Sequence, residues 1–340
     1  MALTRISDII EPAVYTKYAQ EHVPEKLDLL NSSAMSAALP PEVASQMNAG
    51  GSVIDMPFWQ DTDRSEPNIR SDDDTVSAPN LKIAATKETA RKLYLHKSWQ
   101  QAALAGELAT GSGKDPLRSL VGFTERYWRR ITQLYLIKAL DGVLADNVAN
   151  DSSDMLYSVY SDIATPLAAN KISYAAQNAA RLTMGEMMDD LGTIVMHSKV
   201  YGDALNQEAI TFVQPSKYPF KIAMFGGMEV VVSDDCTKVA GANSPKYRAY
   251  LFGPGALAHI MAFPSDVPAV ETFWEPEKAN GGGVETLHTR RNLLVHPKGF
   301  RFTSSSVAGR SPTWAELATA GNWDRKFQRK NVRMAFLESN

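Results

Sequence analysis

Only one cysteine, Cys236, occurs in 340 residues, so no intramolecular disulfide can staple this chain. That suits folding in a reducing cytosol, with the thiol as packing filler. No apolar run approaches the roughly 20 residues that span a bilayer, and Met1 to Ile10 lacks the basic and apolar stretches of a secretory signal. A chain made in the cytoplasm, with no membrane partner, is expected. Excess positive charge is also missing: the formal net charge is -3, which removes the electrostatic case for gripping nucleic acid. A mildly acidic protein can still enclose DNA without holding it.

Motifs that carry chemistry are equally scarce. Gly111, Ser112, Gly113 and Lys114 look like half of a phosphate-binding loop, but Leu108 stands where the first glycine belongs and Asp115 where the metal-binding hydroxyl belongs. Gly253, Pro254 and Gly255 lack the third glycine of a dinucleotide fingerprint. The six histidines, His22, His96, His197, His259, His288 and His296, contain no pair at i, i+4 or i, i+2, so no local metal site is expected. Ser198 follows His197 without the glycines of a hydrolase elbow and reads as a helix cap. Neighbouring carboxylates, Asp189 with Asp190 and Asp234 with Asp235, point apart on a helix or strand. The expectation is a protein with no catalytic, cofactor-binding or metal-ligating set.

What is present is globular composition, 44% hydrophobic and 21% charged, in a chain long enough for two domains or one elaborated domain. The first fifty residues hold short amphipathic pieces broken by Pro12, Pro24, Pro40 and Pro41, an arm lying on something else. Alternation at Ile54, Met56 and Phe58 indicates a strand, as it does at Leu81 and Ile83 and at Leu93 and Leu95. Between the first two pairs lies a charged stretch, Asp61 to Asn80, with Asp61, Asp63, Arg64, Glu66, Arg70, Asp72, Asp73 and Asp74 and few apolar residues. It cannot bury a core of its own, and loops of that length are uncommon inside a compact domain.

Asp115 and Pro116 make a good helix opening. The apolar stripe that follows, through Leu120, Trp128, Ile131, Tyr135, Leu140 and Leu144, predicts one helix to about Ala149, a rod near 50 Å long at about 1.5 Å per residue. A second helix is predicted over Ser173 to Leu191, a buried strand over Thr193 to Met196 and a helix from Ser198. Beyond it the chain turns mainly to strands: Ala209 to Val213, Met228 to Val232, Tyr247 to Phe252, Val284 to Thr289, Asn292 to Val295 and Phe300 to Phe302. Thr313 and Glu316 have capping-box spacing ahead of a short helix closed at Gly321, and Val332, Met334 and Phe336 alternate as a last strand.

This order of arm, polar hairpin, very long helix and mixed domain resembles the major capsid proteins of tailed bacteriophages, the Hong Kong 97-type coat fold. The residues that carry the likeness are Phe225, Gly226, Gly227 and Met228 to Asp235, similar to that family's turn into a valine-rich strand, then Tyr250 to Ala256, similar to its next strand and turn. Val195, Met196, His197, Ser198 and Val200 resemble its strand-to-helix passage into the axial domain, and Val284 to Thr303 its return to the peripheral domain.

The resemblance implies an α+β fold divided into an N-terminal arm (1–52), an extended hairpin loop (53–100), a peripheral domain with the spine helix near 115–149 (101–172), an axial domain (173–268) and a return to the peripheral domain with the C-terminal segment (269–340). It implies a structural subunit, not an enzyme, that assembles as hexamers and pentamers into an icosahedral shell around double-stranded DNA, contacted without sequence specificity. Expected partners are further copies, a portal, decoration proteins and a separate scaffolding protein, since the arm starts almost at Met1. The expected location is the virion, assembled in the host cytoplasm. On this reading Trp59 and the charged loop residues Asp61, Asp63, Arg64, Glu66, Arg70, Asp72, Asp73 and Asp74 contact a neighbour, Arg126, Arg129 and Arg130 on the spine helix are their candidate counter-charges, and Trp128, Ile131 and Tyr135 pack the core. Lys82, Lys87 and Lys92 lie near the loop, but nothing marks them for the crosslink that some relatives make. Two alternatives stay open: a nanocompartment shell of the same fold around protein cargo, and a soluble enzyme with an unrecognised site.

Overall fold

The computed structural model describes residues 28–35, 41–47, 49–62, 65–70, 72, 75, 77, 80–110, 116–214 and 221–340. Two short helices, α1 (Asp28–Asn31) and α2 (Pro41–Ser45), precede a strand pair, β1 (Val53–Trp59) and β2 (Ala85–Ala102). Next come α3 (Ala103–Thr110), the long α4 (Pro116–Asn150), β3 (Leu156–Ser158), α5 (Tyr174–Leu182), β4 (Thr193–Met196) and α6 (Ser198–Asn206). The strands β5 (Ile210–Val213), β6 (Ile222–Phe225), β7 (Met228–Val232), β8 (Lys238–Val239), β9 (Lys246–Phe252), β10 (Leu257–Ala262), β11 (Val270–Glu275), β12 (Val284–Pro297) and β13 (Phe300–Phe302) follow. The described chain closes with α7 (Trp314–Leu317), β14 (Trp323–Arg325) and β15 (Met334–Ser339).

These strands form two sheets. In the first, the order is β10-β12-β2-β13-β14, with β1 also on β2 and β11 also on β12. In the second it is β3-β15-β9-β4-β7-β6-β5, with β8 on β9. Helix α4 lies between them. Its core neighbours include Leu93, Leu293, Val295 and Phe300 from the first sheet and Val195, Tyr250, Phe252 and Phe336 from the second.

That position explains how α4 is built. Proline at its first position has no amide hydrogen to leave unpaired and a φ already suited to the helix. Its 35 residues make a rod of about 52 Å. From Thr132 to Asn147 nearly every side chain is buried, because sheets cover the helix on two sides. Gly142 sits where a Cβ would overlap the Leu317 carbonyl oxygen and the Trp323 indole nitrogen. Trp323 Nε1 donates to that carbonyl at 2.7 Å, so the chain crosses α4 at van der Waals distance. The helix ends where Ser152 and Ser153 turn left-handed, φ 57° and 59°. There the Asn147 side chain accepts from Met155 N at 3.1 Å and donates to Asp154 at 2.7 Å.

A separate core lies under the second sheet, where Ile172, Ala176, Ala180, Val200, Phe225, Leu251 and Leu337 pack together. Several expected boundaries shift. The strand 257–262, placed by expectation in the 173–268 segment, bonds β12 and joins the first sheet. The last strand pairs with β9 and β3, inside the second sheet. Alternating hydrophobicity marks a strand but not the sheet that receives it. The helix expected over 173–191 stops at Leu182 and resumes as a 3-10 turn, Gly185–Asp190, after Gly185 turns to φ 61°. The described part of the arm packs on its own chain: Leu29, Ala34 and Met35 enter the main core, and Val43 and Met47 cover Ile54 and Leu294.

Candidate inter-subunit surfaces

The hairpin grows from a fixed base. β1 and β2 pair antiparallel from Val53 opposite Arg91 to Trp59 opposite Ala85, and Gln60 N adds one bond to Ala84 O at 2.9 Å. Lys87 and Thr89 donate to Asp55 at 2.6 and 2.7 Å and hold its carboxyl below the usual range. Phe58 meets Phe327 edge-on at 4.8 Å, tying the base to the body.

Past that base the burial changes abruptly. Every described residue from Trp59 to Ile83 is exposed, including four large apolar ones: Trp59 at 72%, Ile69 at 89%, Leu81 at 70% and Ile83 at 71%. Asp61, Glu66, Arg70 and Asp72 share that exposure. Asp63, Arg64, Asp73 and Asp74 lie outside the described residues. Leu81 and Ile83 alternate as expected, yet 81–84 is not strand, because among the described residues no strand lies opposite them.

On α4, Arg126 and Arg129 are exposed and Arg130 is half-buried. Arg129 Nη2 donates to Asn31 Oδ1 at 3.3 Å, so within the subunit it meets the arm. The three residues read as core differ from these. Trp128 is 2% exposed, with the Arg291 guanidinium 5.9 Å from its ring and Tyr127 edge-on at 5.3 Å. Tyr127 in turn meets Trp99 of β2 at 5.5 Å. Ile131 is partly buried against the main core, and Tyr135 lies edge-on to Trp314 at 6.1 Å, where burial pushes its phenol pKa up.

The chemistry-bearing candidates are occupied by structural roles. His197, not Ser198, caps α6: its Nδ1 accepts from Lys199 N at 3.1 Å. Ser198 Oγ approaches that same nitrogen at 3.4 Å. Arg181 pairs with Asp189 and Arg333 with Asp190. Asp234 accepts from Ser198 N, and Asp235 from Gln133 Nε2. The Cys236 thiol is buried and its pKa pushed far up by desolvation. Residues 111–115 of the glycine-lysine stretch lie outside the described residues. Among the described residues, no group of three or more His, Cys, Asp or Glu is placed to hold a metal ion, and no helix is long and apolar enough to cross a membrane.

A family model for major capsid protein 13-like proteins matches residues 13–332. The chain belongs to that family. It is a major capsid protein of a tailed phage, a structural component of the virion that associates with copies of itself to form the head shell. The capsid protein is 28% identical over 337 residues to the major capsid protein of Bacillus phage SPP1, covering 98% of this chain and 97% of the relative. Its fold is that of solved phage capsids of the Hong Kong 97 type. The cyanophage Pam1 capsid gives a TM-score of 0.58 at 12% identity, over 98% and 97% of the two chains. The capsid of Ralstonia phage GP4 gives 0.56 at 11%, over 96% and 95%. The head of Helicobacter pylori bacteriophage KHP40 gives 0.51 at 9%, over 98% and 96%.

Sequence reasoning missed two structural features. One is Gly142, a glycine inside a helix, which in hindsight signals close approach. The other is the buried ion network of Asp141, Arg248 and Glu338, whose members are too far apart in sequence to signal one another.

Proposed function

We propose that this capsid protein forms the hexamers and pentamers of an icosahedral shell that encloses double-stranded DNA, and that its 53–100 hairpin lies across the neighbouring subunit. One observation carries this reading: a hairpin anchored firmly at β1 and β2 presents Trp59, Ile69, Leu81 and Ile83 to solvent together with several charges. Exposed apolar clusters rimmed by polar groups are contact surfaces. A second copy supplies the missing cover, with Arg126, Arg129 and Arg130 of its spine helix as counter-charges for Asp61, Glu66 and Asp72.

In this assignment the first sheet with α4 is the peripheral domain and the second sheet the axial domain around the capsomer axis. The role is architectural and not enzymatic. A separate scaffolding protein guides assembly, a portal occupies one vertex, and decoration proteins are further possible partners. DNA is contained without sequence-specific contacts, in keeping with the net charge of -3. The nanocompartment alternative is disfavoured because the matching family and the curated relative are both phage capsid proteins.

Negative-stain microscopy of the purified chain, alone and with its scaffold, is the direct test. Megadalton shells, or six- and five-fold capsomers, are expected. A monodisperse 37.3 kDa monomer under all conditions would overturn the proposal.

A further inference from the structure

Six histidines scattered along the sequence show no local pairing, yet the first sheet brings two of them together. β12 runs antiparallel to β2, with His288 opposite Ser98 and Arg290 opposite His96. His96 and His288 are thus diagonal neighbours on one face, within reach of each other. Their rings lie 5.2 Å apart at 28°, and His96 Nε2 is 3.0 Å from His288 Nδ1. One shared proton occupies that gap, since one imidazole must donate and the other accept.

We propose that His96 and His288 form a two-imidazole chelate for a borderline d-block dication of the Zn2+, Ni2+ or Cu2+ class. A tetrahedral cation with metal–nitrogen bonds of about 2.0–2.1 Å holds two ligand nitrogens about 3.3–3.4 Å apart. The observed pair is a few tenths of an ångström short of that, so small side-chain rotations open the gap, and the donor imidazole passes its proton through water to its other ring nitrogen, leaving two neutral lone pairs facing the cation. Imidazole selects such ions over Ca2+ and Mg2+, which take oxygen donors. Among the described residues no third donor converges, so water completes the coordination.

The surroundings admit an ion. His96, though not His288, lines an open cavity of about 440 Å³ shared with Met47, Tyr94, Asp266 and Arg290, so water reaches the pair from the His96 side. Arg290 is the cationic neighbour that opposes binding, but it donates to Glu271 at 2.6 Å and to Pro268 O at 2.8 Å. Glu271 also lies opposite His288 on β11, so a carboxylate balances the local charge. A bound cation would pin β12 to β2 along the exposed run His96, Lys97 and Ser98.

The test uses the full-length protein, stripped with EDTA and titrated with Zn2+ by calorimetry at a pH of about 7.5, above the ordinary histidine pKa. One ion per subunit is expected, with a rise in melting temperature that follows from ligand binding to the folded state alone. Mg2+ should produce neither effect. His96→Gln and His288→Gln should each lose the binding step and the thermal shift while keeping the parent circular dichroism, and His259→Gln should retain both. The proposal is overturned if the parent takes up no Zn2+, or if folded His96→Gln and His288→Gln bind it as the parent does.

Discussion

Arg248 of β9 donates through Nη1 to Asp141 Oδ1 of α4 at 2.9 Å and through Nε to Glu338 Oε1 of β15 at 3.0 Å. Lys246 joins Glu338 at 3.1 Å, and Thr237 and Lys138 join the other Asp141 oxygen at 2.8 and 3.1 Å. The network fastens the long helix to the second sheet inside a largely apolar layer. Burial acts to lower the Arg248 pKa, and Asp141 with Glu338 outweighs it, so the guanidinium is held charged more firmly than usual.

Asp141→Ala removes one of two carboxylates facing a buried guanidinium and strands Thr237. Breaking such a pair from one side costs about 3 kcal/mol, a substantial share of a domain's stability. Thermal unfolding of unassembled subunits should show a clearly lower midpoint. An unchanged midpoint would mean that the ion network contributes nothing to holding α4.

Trp128→Ala should be as severe for a different reason. It empties a site walled by Tyr127 and Arg291, and large aromatic deletions in cores cost about 3–5 kcal/mol. Most of the variant should be insoluble before assembly begins. Circular dichroism and limited proteolysis matching the parent would show that this face of α4 packs against something other than its own sheet.

Gly142→Ala adds a single methyl group where the Leu317 carbonyl and the Trp323 ring already touch the helix. In an exposed helix the same change would stabilise by up to about 1 kcal/mol through propensity. Here the backbone of the α7 segment must move, so a marked drop in soluble yield and melting temperature is expected. A variant as stable as the parent would contradict the close crossing.

Much of this was legible beforehand, and the failures have physical causes. Pro116 and the stripe through Trp128, Tyr135 and Leu144 announce α4, and the apolar runs Thr193–Met196 and Met228–Val232 appear as strands β4 and β7. Two strands expected around Arg290 and Arg291 are one, β12. The charges look like a turn but are accommodated in place: Arg290 by Glu271, Arg291 by the Phe263 ring at 4.4 Å and the Trp128 ring. The short β11 and β14 strands carry no alternation strong enough to find. The proposed contact surface rests on a loop unable to cover itself, whereas any partner surface depends on a second subunit, which neither one sequence nor one subunit contains.

Charge reversal tests the loop directly. Asp61→Lys, Glu66→Lys and Asp72→Lys together alter only exposed side chains, so the helix content and melting temperature of the subunit should stay within the small range of surface substitutions. Assembly should suffer, because like charges at an interface cost several kcal/mol. Sedimentation should show capsomers or free subunits in place of shells. Arg126→Glu with Arg129→Glu should partly restore shells if those arginines are the counter-charges. Normal shells from the triple variant would return the loop to plain solvent.

Asp146 offers a test through pH. Its side chain is 1% exposed near the end of α4, accepts from Asn150 Nδ2 at 2.6 Å and faces the carboxylates of Asp151 and Asp324. Burial above all, then those charges, raise its pKa, while Asn150 and Arg325 offset only part of the rise. A carboxyl raised in the folded state binds its proton more tightly there than in the unfolded chain. This group therefore adds stability as the pH falls from neutrality toward the ordinary aspartate value of 3.8 and costs stability above its raised pKa. Asp151 is shifted the same way, chiefly by burial, and Asp154 the opposite way because Arg325 and Asn147 bond it. Asp146→Asn keeps the size and an oxygen for Asn150 but removes the ionisation. The variant should melt above the parent at about pH 8, and the gap should narrow as the pH is lowered toward the ordinary aspartate range and the parent takes up its proton. A variant less stable at the higher pH, or a gap that does not change with pH, would show that Asp146 is held as a comfortable anion by groups other than those named.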